Sequence, residues 1–175
     1  MKTVIFYLTR DGQTRKIAEK IASELDGEVS VLCLRETAEI TAEKLAVYDR
    51  IMIGASIRYG HFDPILEKFV AKHSALLNQK TSAFFSVNLT ARKANRNTPE
   101  TNVYTRKLLA RMTWQPTLVE VFAGALFYPR YRWFDRVMIR FIMKITGGDT
   151  DIRQEYEYTD WEKVSAFAQK MRKLS

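Results

Sequence analysis

Cysteine is almost missing from this chain of 175 residues: there is one, Cys33, set in an apolar run. A single cysteine cannot form an internal disulfide and fits a reducing compartment, with a small core residue as its role. Histidine is nearly as scarce, with only His61 and His73, and no metal site is expected. No run approaches the ~18 uncharged apolar residues that a membrane-spanning helix needs. Neither Gly-x-x-x-x-Gly-Lys-Ser/Thr nor Gly-x-Gly-x-x-Gly occurs, which argues against an ordinary ATP loop and a dinucleotide fingerprint. Repeats, low-complexity tracts and stretches rich in glycine, proline and serine are lacking too, so one compact domain over residues 1–175 is expected. The chain starts directly on a β-type run, without the charged segment, apolar stretch and cleavage site of a leader. A cytoplasmic protein, or one on the inner face of a membrane, is the expectation.

Positive charge is abundant by contrast. Lysine and arginine number 28 against 20 acidic residues, a net charge of +8. Such a surface attracts anions: acidic lipid, nucleic acid, or a small substrate bearing carboxylates.

Strand and helix signals alternate along the chain. Residues 3–8, 28–33, 49–56, 82–87 and 118–125 read as strands, the third apolar enough to be buried on both faces. Residues 15–25, 64–77, 99–112 and 160–174 read as helices, with Pro64 at the first turn of the second. Strands separated by crossover helices imply a doubly wound parallel sheet. A short run, 155–158, is placed as a strand resuming that sheet.

The hexapeptide Thr9-Arg10-Asp11-Gly12-Gln13-Thr14 joins the first strand to the first helix. Hydroxyls at both ends, a glycine that permits close approach and the unpaired N–H groups of a helix N-terminus suit a phosphate monoester. A plain turn capped by Asp11 or Thr14 is the simpler reading. With one glycine and several hydroxyls, the loop suggests FMN rather than ATP.

In open parallel sheets, ligands bind beyond the carboxyl ends of the strands, where strand order reverses. Besides the hexapeptide, the loops Ser56-Ile57-Arg58-Tyr59-Gly60-His61 and Ser86-Val87-Asn88-Leu89-Thr90-Ala91-Arg92 fall there. Tyr59 offers an aromatic face, Gly60 close approach, and backbone amides with Asn88 offer partners for a ring edge. His61 reads as a solvated loop histidine and His73 as structural, near the end of its helix.

These three strings, together with Tyr128-Pro129-Arg130-Tyr131-Arg132-Trp133 and Gly147-Gly148-Asp149-Thr150-Asp151, carry a resemblance that spans nearly the whole chain. The chain resembles the flavodoxins, whose phosphate loop reads Thr/Ser-x-Thr-Gly-x-Thr, and in particular the long-chain members. Within them it is similar to the bacterial quinone-dependent protoporphyrinogen IX dehydrogenases, formerly called protoporphyrinogen oxidases. The resemblance implies a flavodoxin-like, doubly wound, five-stranded parallel sheet with an insertion, about residues 126–150, in the fifth-strand region. It implies FMN, with Thr9, Arg10, Gly12, Gln13 and Thr14 at the phosphate, and Ser56, Ile57, Arg58, Tyr59, Gly60, Ser86, Val87, Asn88 and Leu89 at the ring. It implies oxidation of protoporphyrinogen IX to protoporphyrin IX in haem biosynthesis, with electrons passed to menaquinone or ubiquinone and the flavin doing the redox chemistry. Asp11 departs from the pattern, because a hydroxyl residue is usual there and a carboxylate repels phosphate. It is expected to cap the helix while Arg10 offsets its charge. Arg92 and Lys93, near the expected flavin edge, are the candidate clamp for the propionates of the substrate.

In the insertion, residues 135–145 have helical spacing, with Arg136, Arg140 and Lys144 on one stripe and Val137, Met138, Phe141, Ile142 and Ile145 on another. So apolar a helix needs cover: the body of the domain, a second copy in a homo-oligomer, or a membrane interface. The basic residues and Trp133 favour the anionic membrane surface, and with it a peripheral position on the cytoplasmic face of the inner membrane. Two other functions fit parts of the chain. A flavodoxin-type electron carrier or general quinone reductase would be expected to have an acidic docking face. A non-enzymatic basic module for membrane or nucleic acid would leave the hexapeptide unexplained, and with no nucleic-acid motif present no nucleic acid is expected.

Overall fold

The computed structural model describes residues 1–37 and 39–174. Five strands run parallel: β1 (Lys2–Leu8), β2 (Glu28–Cys33), β3 (Arg50–Arg58), then, after a two-residue strand β4 (His61–Phe62), β5 (Thr81–Asn88) and β6 (Leu118–Ala123). Their order across the sheet is β2-β1-β3-β5-β6, with β4 turned back antiparallel on the end of β3. The chain moves outward from β1 to β2 and then returns to β3, so the order reverses between β1 and β3.

Sequence period explains the layers. Along β1, Val4, Phe6 and Leu8 face one side and Ile5 the other, as the two-residue repeat of a strand demands. The first side packs on α4 (Pro64–Gln79) and α5 (Val103–Arg111) through Leu66, Phe69 and Leu108. The second packs on α1 (Gln13–Glu24) and α7 (Trp161–Arg172) through Ile17, Ile21, Val164 and Phe167. Caps start α4 and α7 where the sequence places them: Asp63 accepts from the Ile65 amide just before Pro64, and Asp160 accepts from the Lys163 amide. At Gly54 in β3 a Cβ would lie 2.1 Å from the Phe85 ring, so only glycine fits there.

Several boundaries differ from the sequence reading. Two short helices, α2 (Leu34–Thr37) and α3 (Ala42–Ala46), follow β2. Residues 99–102 stay outside α5 because the Asn102 side chain caps it, accepting from the Thr105 amide at 3.2 Å. The fifth parallel strand ends at Ala123. Gly124 leaves the sheet, donating its N–H to Asn88 O at 3.2 Å, and β7 (Ala125–Phe127) begins a separate structure.

Residues 155–158 do not resume the main sheet. As β8 (Glu155–Glu157) they pair antiparallel with β7, forming a two-stranded ribbon beside the domain. That ribbon and α6 (Trp133–Thr146) share a small core of their own, in which Leu126, Tyr128, Tyr131, Ile139 and Met143 are buried. The helix of the insertion is longer at both ends than its spacing suggested. Gly147, at φ 71°, ends it in the left-handed conformation expected of a C-terminal glycine.

Candidate functional site

The loops after β1, β3 and β5 and one face of α6 enclose a single cleft of about 480 Å³. It lies at the carboxyl ends of β1 and β3, where the strand order reverses.

The loop after β1 is shaped by its own atoms. Thr9 Oγ1 accepts the Gly12 N–H at 2.9 Å, and Gly12, at φ 94°, is the N-cap of α1. A residue with a Cβ adopts that φ only under strain. The first turn of α1 contains no acidic residue, and its leading N–H groups have no partner within the helix, which leaves a positive dipole end facing the cleft. Thr14 is fully buried, and its hydroxyl has no hydrogen-bond partner among the described residues. An orphaned hydroxyl beside free N–H groups fits a phosphate. The Gln13 side chain faces inward, donating to Thr159 Oγ1 at 2.9 Å, and Thr159 in turn donates to Ala123 O at 2.7 Å. Only the backbone of Gln13 is left for a ligand.

Asp11 does not cap α1, and Arg10 is not its counter-ion. Its carboxylate accepts from the Arg58 guanidinium, delivered by the neighbouring loop. The sequence reading missed this because the two residues are 47 positions apart and meet only through strand pairing. Arg58 also faces Asp135 of α6 at 3.9 Å and stands 5.2 Å over the Tyr131 ring. The one guanidinium is therefore shared between two carboxylates at the cleft edge.

The loop after β3 is a two-residue hairpin. Arg58 pairs with His61, and Tyr59 and Gly60 between them have φ of 51° and 79°. Positive φ at both central residues is the type I′ turn, which matches the twist of a hairpin but is unusual for tyrosine. Tyr104 of α5 lies close under the turn: a Cβ at Gly60 would be 3.2 Å from its ring. The Tyr59 phenol donates to Asp135. Burial and then that carboxylate push its pKa up to about 12, so it stays protonated. His61 is exposed and lies outside the cleft lining.

The loop after β5 holds its polar side chains inside. Asn88 Oδ1 accepts from Thr90 Oγ1 at 2.7 Å, the Ala91 amide at 3.0 Å and Asn102 Nδ2 at 3.1 Å. Its Nδ2 donates to Ser86 Oγ at 3.0 Å, which also accepts from Thr105 Oγ1 at 2.8 Å. Asn88 and Ser86 thus build the loop instead of presenting side chains to a ring, and Ser86 is not part of the lining. What faces the cleft here is Val87, Leu89, Thr90 and backbone.

Arg92 lines the cleft with its charge already engaged. It donates to Leu89 O at 2.8 Å, and to Thr146 O and Oγ1 at 3.1 and 3.0 Å, holding the C-terminus of α6 where a cation suits the helix dipole. Lys93 lies outside the lining, so the expected carboxylate clamp does not form at this pair.

Helix α6 closes the remaining side with Met138, Ile139, Ile142 and Met143. Arg136, expected on the outer basic stripe, instead donates to the carbonyls of Tyr128 and Tyr131, each at 3.1 Å, and anchors the helix start. Arg140 and Lys144 remain exposed. Beside them Trp133, 76% exposed, Phe134, Phe141 and Ile145 present an uncovered apolar face. Among the described residues no cluster suited to a metal ion occurs, and no helix is long and apolar enough to cross a membrane.

The donor set fits FMN: a phosphate cradle at one end, and at the other a slot between a left-handed aromatic turn and a backbone-lined loop. Comparison with known proteins agrees. A flavodoxin-domain family model matches residues 4–153. The protoporphyrinogen IX dehydrogenase (quinone) of Escherichia coli strain K12 is 51% identical over 175 residues, covering 100% of this chain and 97% of that protein. A protein of the same name from Leishmania major is 51% identical over 168 residues, 95% of this chain and 73% of its own length. Among solved structures, oxidised flavodoxin 2 from Bacillus cereus matches with a TM-score of 0.57 at 22% identity, over 100% of both chains. An archaeal flavodoxin matches with a TM-score of 0.56 at 15% identity, over 99% of this chain and 98% of its own. At such identities the structural likeness speaks for the fold alone.

Proposed function

The chain belongs to the flavodoxin-domain family, within the branch of the quinone-dependent protoporphyrinogen IX dehydrogenases, and on that premise we propose that it is an FMN-dependent oxidoreductase oxidising protoporphyrinogen IX to protoporphyrin IX. Electrons pass on to a membrane quinone, menaquinone or ubiquinone, and the reaction belongs to haem biosynthesis. The observation that carries this reading beyond electron carriage is the fourth wall of the cleft. An electron shuttle needs its flavin edge open, whereas here Met138 and Ile142 of the inserted helix line the cleft with apolar side chains suited to a large flat substrate.

FMN, when bound, supplies the acceptor for hydride equivalents. The rest falls to this chain. Thr9, Gly12 and Thr14, with the backbone of Arg10 and Gln13, hold the phosphate, and Arg58 offsets Asp11 so that no net negative charge opposes it. Ser56, Ile57, Arg58, Tyr59 and Gly60 on one side, and Val87 and Leu89 with the backbone of Asn88 on the other, orient the ring. Met138, Ile139, Ile142 and Met143 exclude water from its neighbourhood. No side chain is assigned as acid or base.

The outer face of α6 supports a peripheral position on an anionic membrane, on the cytoplasmic face of the inner membrane, where a lipid-soluble quinone is at hand. Its exposed aromatic and aliphatic residues flank Arg140 and Lys144, and a basic residue near an anionic leaflet contributes ~1 kcal/mol.

Purified protein should bind FMN, turn yellow, bleach on anaerobic addition of protoporphyrinogen IX and recover on addition of a soluble quinone, with porphyrin fluorescence appearing in step. Failure to retain FMN would remove the enzyme reading. Retention of FMN without porphyrin formation would leave an electron carrier.

A further inference from the structure

Three separate elements meet at one edge of the cleft through charged and phenolic side chains. Asp11 comes from the phosphate loop, Arg58 and Tyr59 from the hairpin after β3, and Asp135 from the first turn of α6. Arg58 lies between the two carboxylates, and the Tyr59 phenol donates to the second of them.

Tyr59 is the only non-glycine residue with positive φ among those described. The left-handed conformation crowds the Cβ of an L-residue against its own backbone, and it persists only where the surroundings enforce it. The antiparallel pairing of β3 with β4 favours such a turn, but side-chain packing adds little to it, because Tyr59 is 43% exposed. The sole hydrogen bond shown for its side chain is the one to Asp135. Asp135 is also the acidic residue in the first turn of α6, where the helix dipole favours a carboxylate. Asp135 thus has three complementary neighbours: the helix end, Arg58 and the phenol.

We propose that Asp135 is a positioning residue, holding the Tyr59–Gly60 hairpin in its left-handed form and so coupling the inserted helix to the loop that orients the ring of FMN. A shift of α6 is transmitted to the aromatic turn through this carboxylate, and the wall that meets the substrate thereby governs how the ring is held. The inference deepens the functional reading above and rests on it for the identity of the ring, though the hairpin itself can be observed without cofactor.

Four variants test it: Tyr59→Phe, which leaves α6 untouched, Asp135→Ala, the double variant of these two, and Asp135→Asn. In the FMN-free protein, amide hydrogen exchange at Tyr59 and Gly60 should accelerate at least about tenfold in each of the first three, with the core amides unchanged. In the loaded protein, Tyr59→Phe and Asp135→Ala should each weaken FMN about tenfold and change the visible-region circular dichroism of the bound flavin. The double variant should be no worse than either single one, since both break the same contact. Asp135→Asn, which keeps an acceptor for the phenol, should recover part of the exchange protection. Unchanged exchange at Tyr59 and Gly60 in Asp135→Ala, or losses of FMN affinity that multiply in the double variant, would overturn the proposal. If the parent protein binds no FMN, the functional reading falls while the exchange measurement still decides whether Asp135 holds the hairpin.

Discussion

The Asp11 carboxylate in the phosphate loop is neutralised by Arg58, the last residue of β3, across the mouth of the cleft. The ion pair turns a carboxylate that would repel a phosphate into a strut between the two loops that must hold opposite ends of one ligand. Both side chains are partly buried, at 15% and 27% exposure, so the pair is screened less than a surface salt bridge.

Arg58→Ala strands that carboxylate. Affinity for FMN should fall at least tenfold, about 1.4 kcal/mol, and Asp11→Asn added to it should restore most of the loss. Flavin fluorescence titration at low and high salt reads both effects. A loss that Asp11→Asn leaves unrepaired would mean that Arg58 acts on the flavin directly.

Thr14→Val should move two measurements in opposite directions. It removes a buried hydroxyl without a partner, a group whose desolvation costs about 1–3 kcal/mol, so the FMN-free protein should melt at the same temperature or higher. The same change removes a phosphate donor, and FMN affinity should drop about tenfold or more. Calorimetry with and without FMN checks both.

His73 makes stability depend on pH. Burial, and then the charge of Lys72, hold its pKa below the ordinary 6.5, against an opposing backbone hydrogen bond at Ile40. The unfolded chain therefore binds the proton more readily. Stability is complete above pH 6.5 and declines as pH falls below that value, until the lower folded pKa is passed. Urea unfolding between pH 8 and 5 should show this slope, and His73→Gln should flatten it.

Gly54→Ala places a Cβ 2.1 Å from the Phe85 ring in the middle of the sheet. Neither β3 nor the fully buried Phe85 has room to yield, and overpacking of this kind costs about 1–3 kcal/mol. Urea unfolding should show the loss, with circular dichroism showing an unchanged fold.

Arg136 and its neighbours on α6 should separate. Arg136→Ala removes charged hydrogen bonds to the Tyr128 and Tyr131 carbonyls, worth about 1.5–3 kcal/mol each, and should expose residues 126–150 to protease. Arg140→Ala with Lys144→Ala should leave protease resistance intact and reduce co-sedimentation with anionic vesicles. Undiminished binding by that pair would exclude α6 as the membrane contact.

Much of the fold was readable from the chain because its signals are local. The two-residue alternation of β1, the unbroken apolar run of β3, and the Asp63-Pro64 start of α4 depend on near neighbours, and so does the Gly12 turn into α1. The cradle was legible for the same reason: its hydroxyls, glycine and helix start are contiguous. The short helices α2 and α3 were not, since five residues or fewer carry too little periodicity to register.

Local signals in the chain thus account for the alternating strands and helices, the phosphate loop and the presence of an apolar, basic inserted helix. Tertiary structure decided the partners. Residues 155–158 pair with β7 because Gly124 turns the chain out of the sheet before they arrive. Asn88 and Arg92 read as ligands in a linear string, yet Asn102 and Thr146, brought in from 14 and 54 positions away, claim their hydrogen bonds first. Asp11 finds Arg58 and Tyr59 finds Asp135 in the same way. A buried or half-buried polar group takes whichever complementary group the packing brings within reach, and separation along the chain carries no record of that choice.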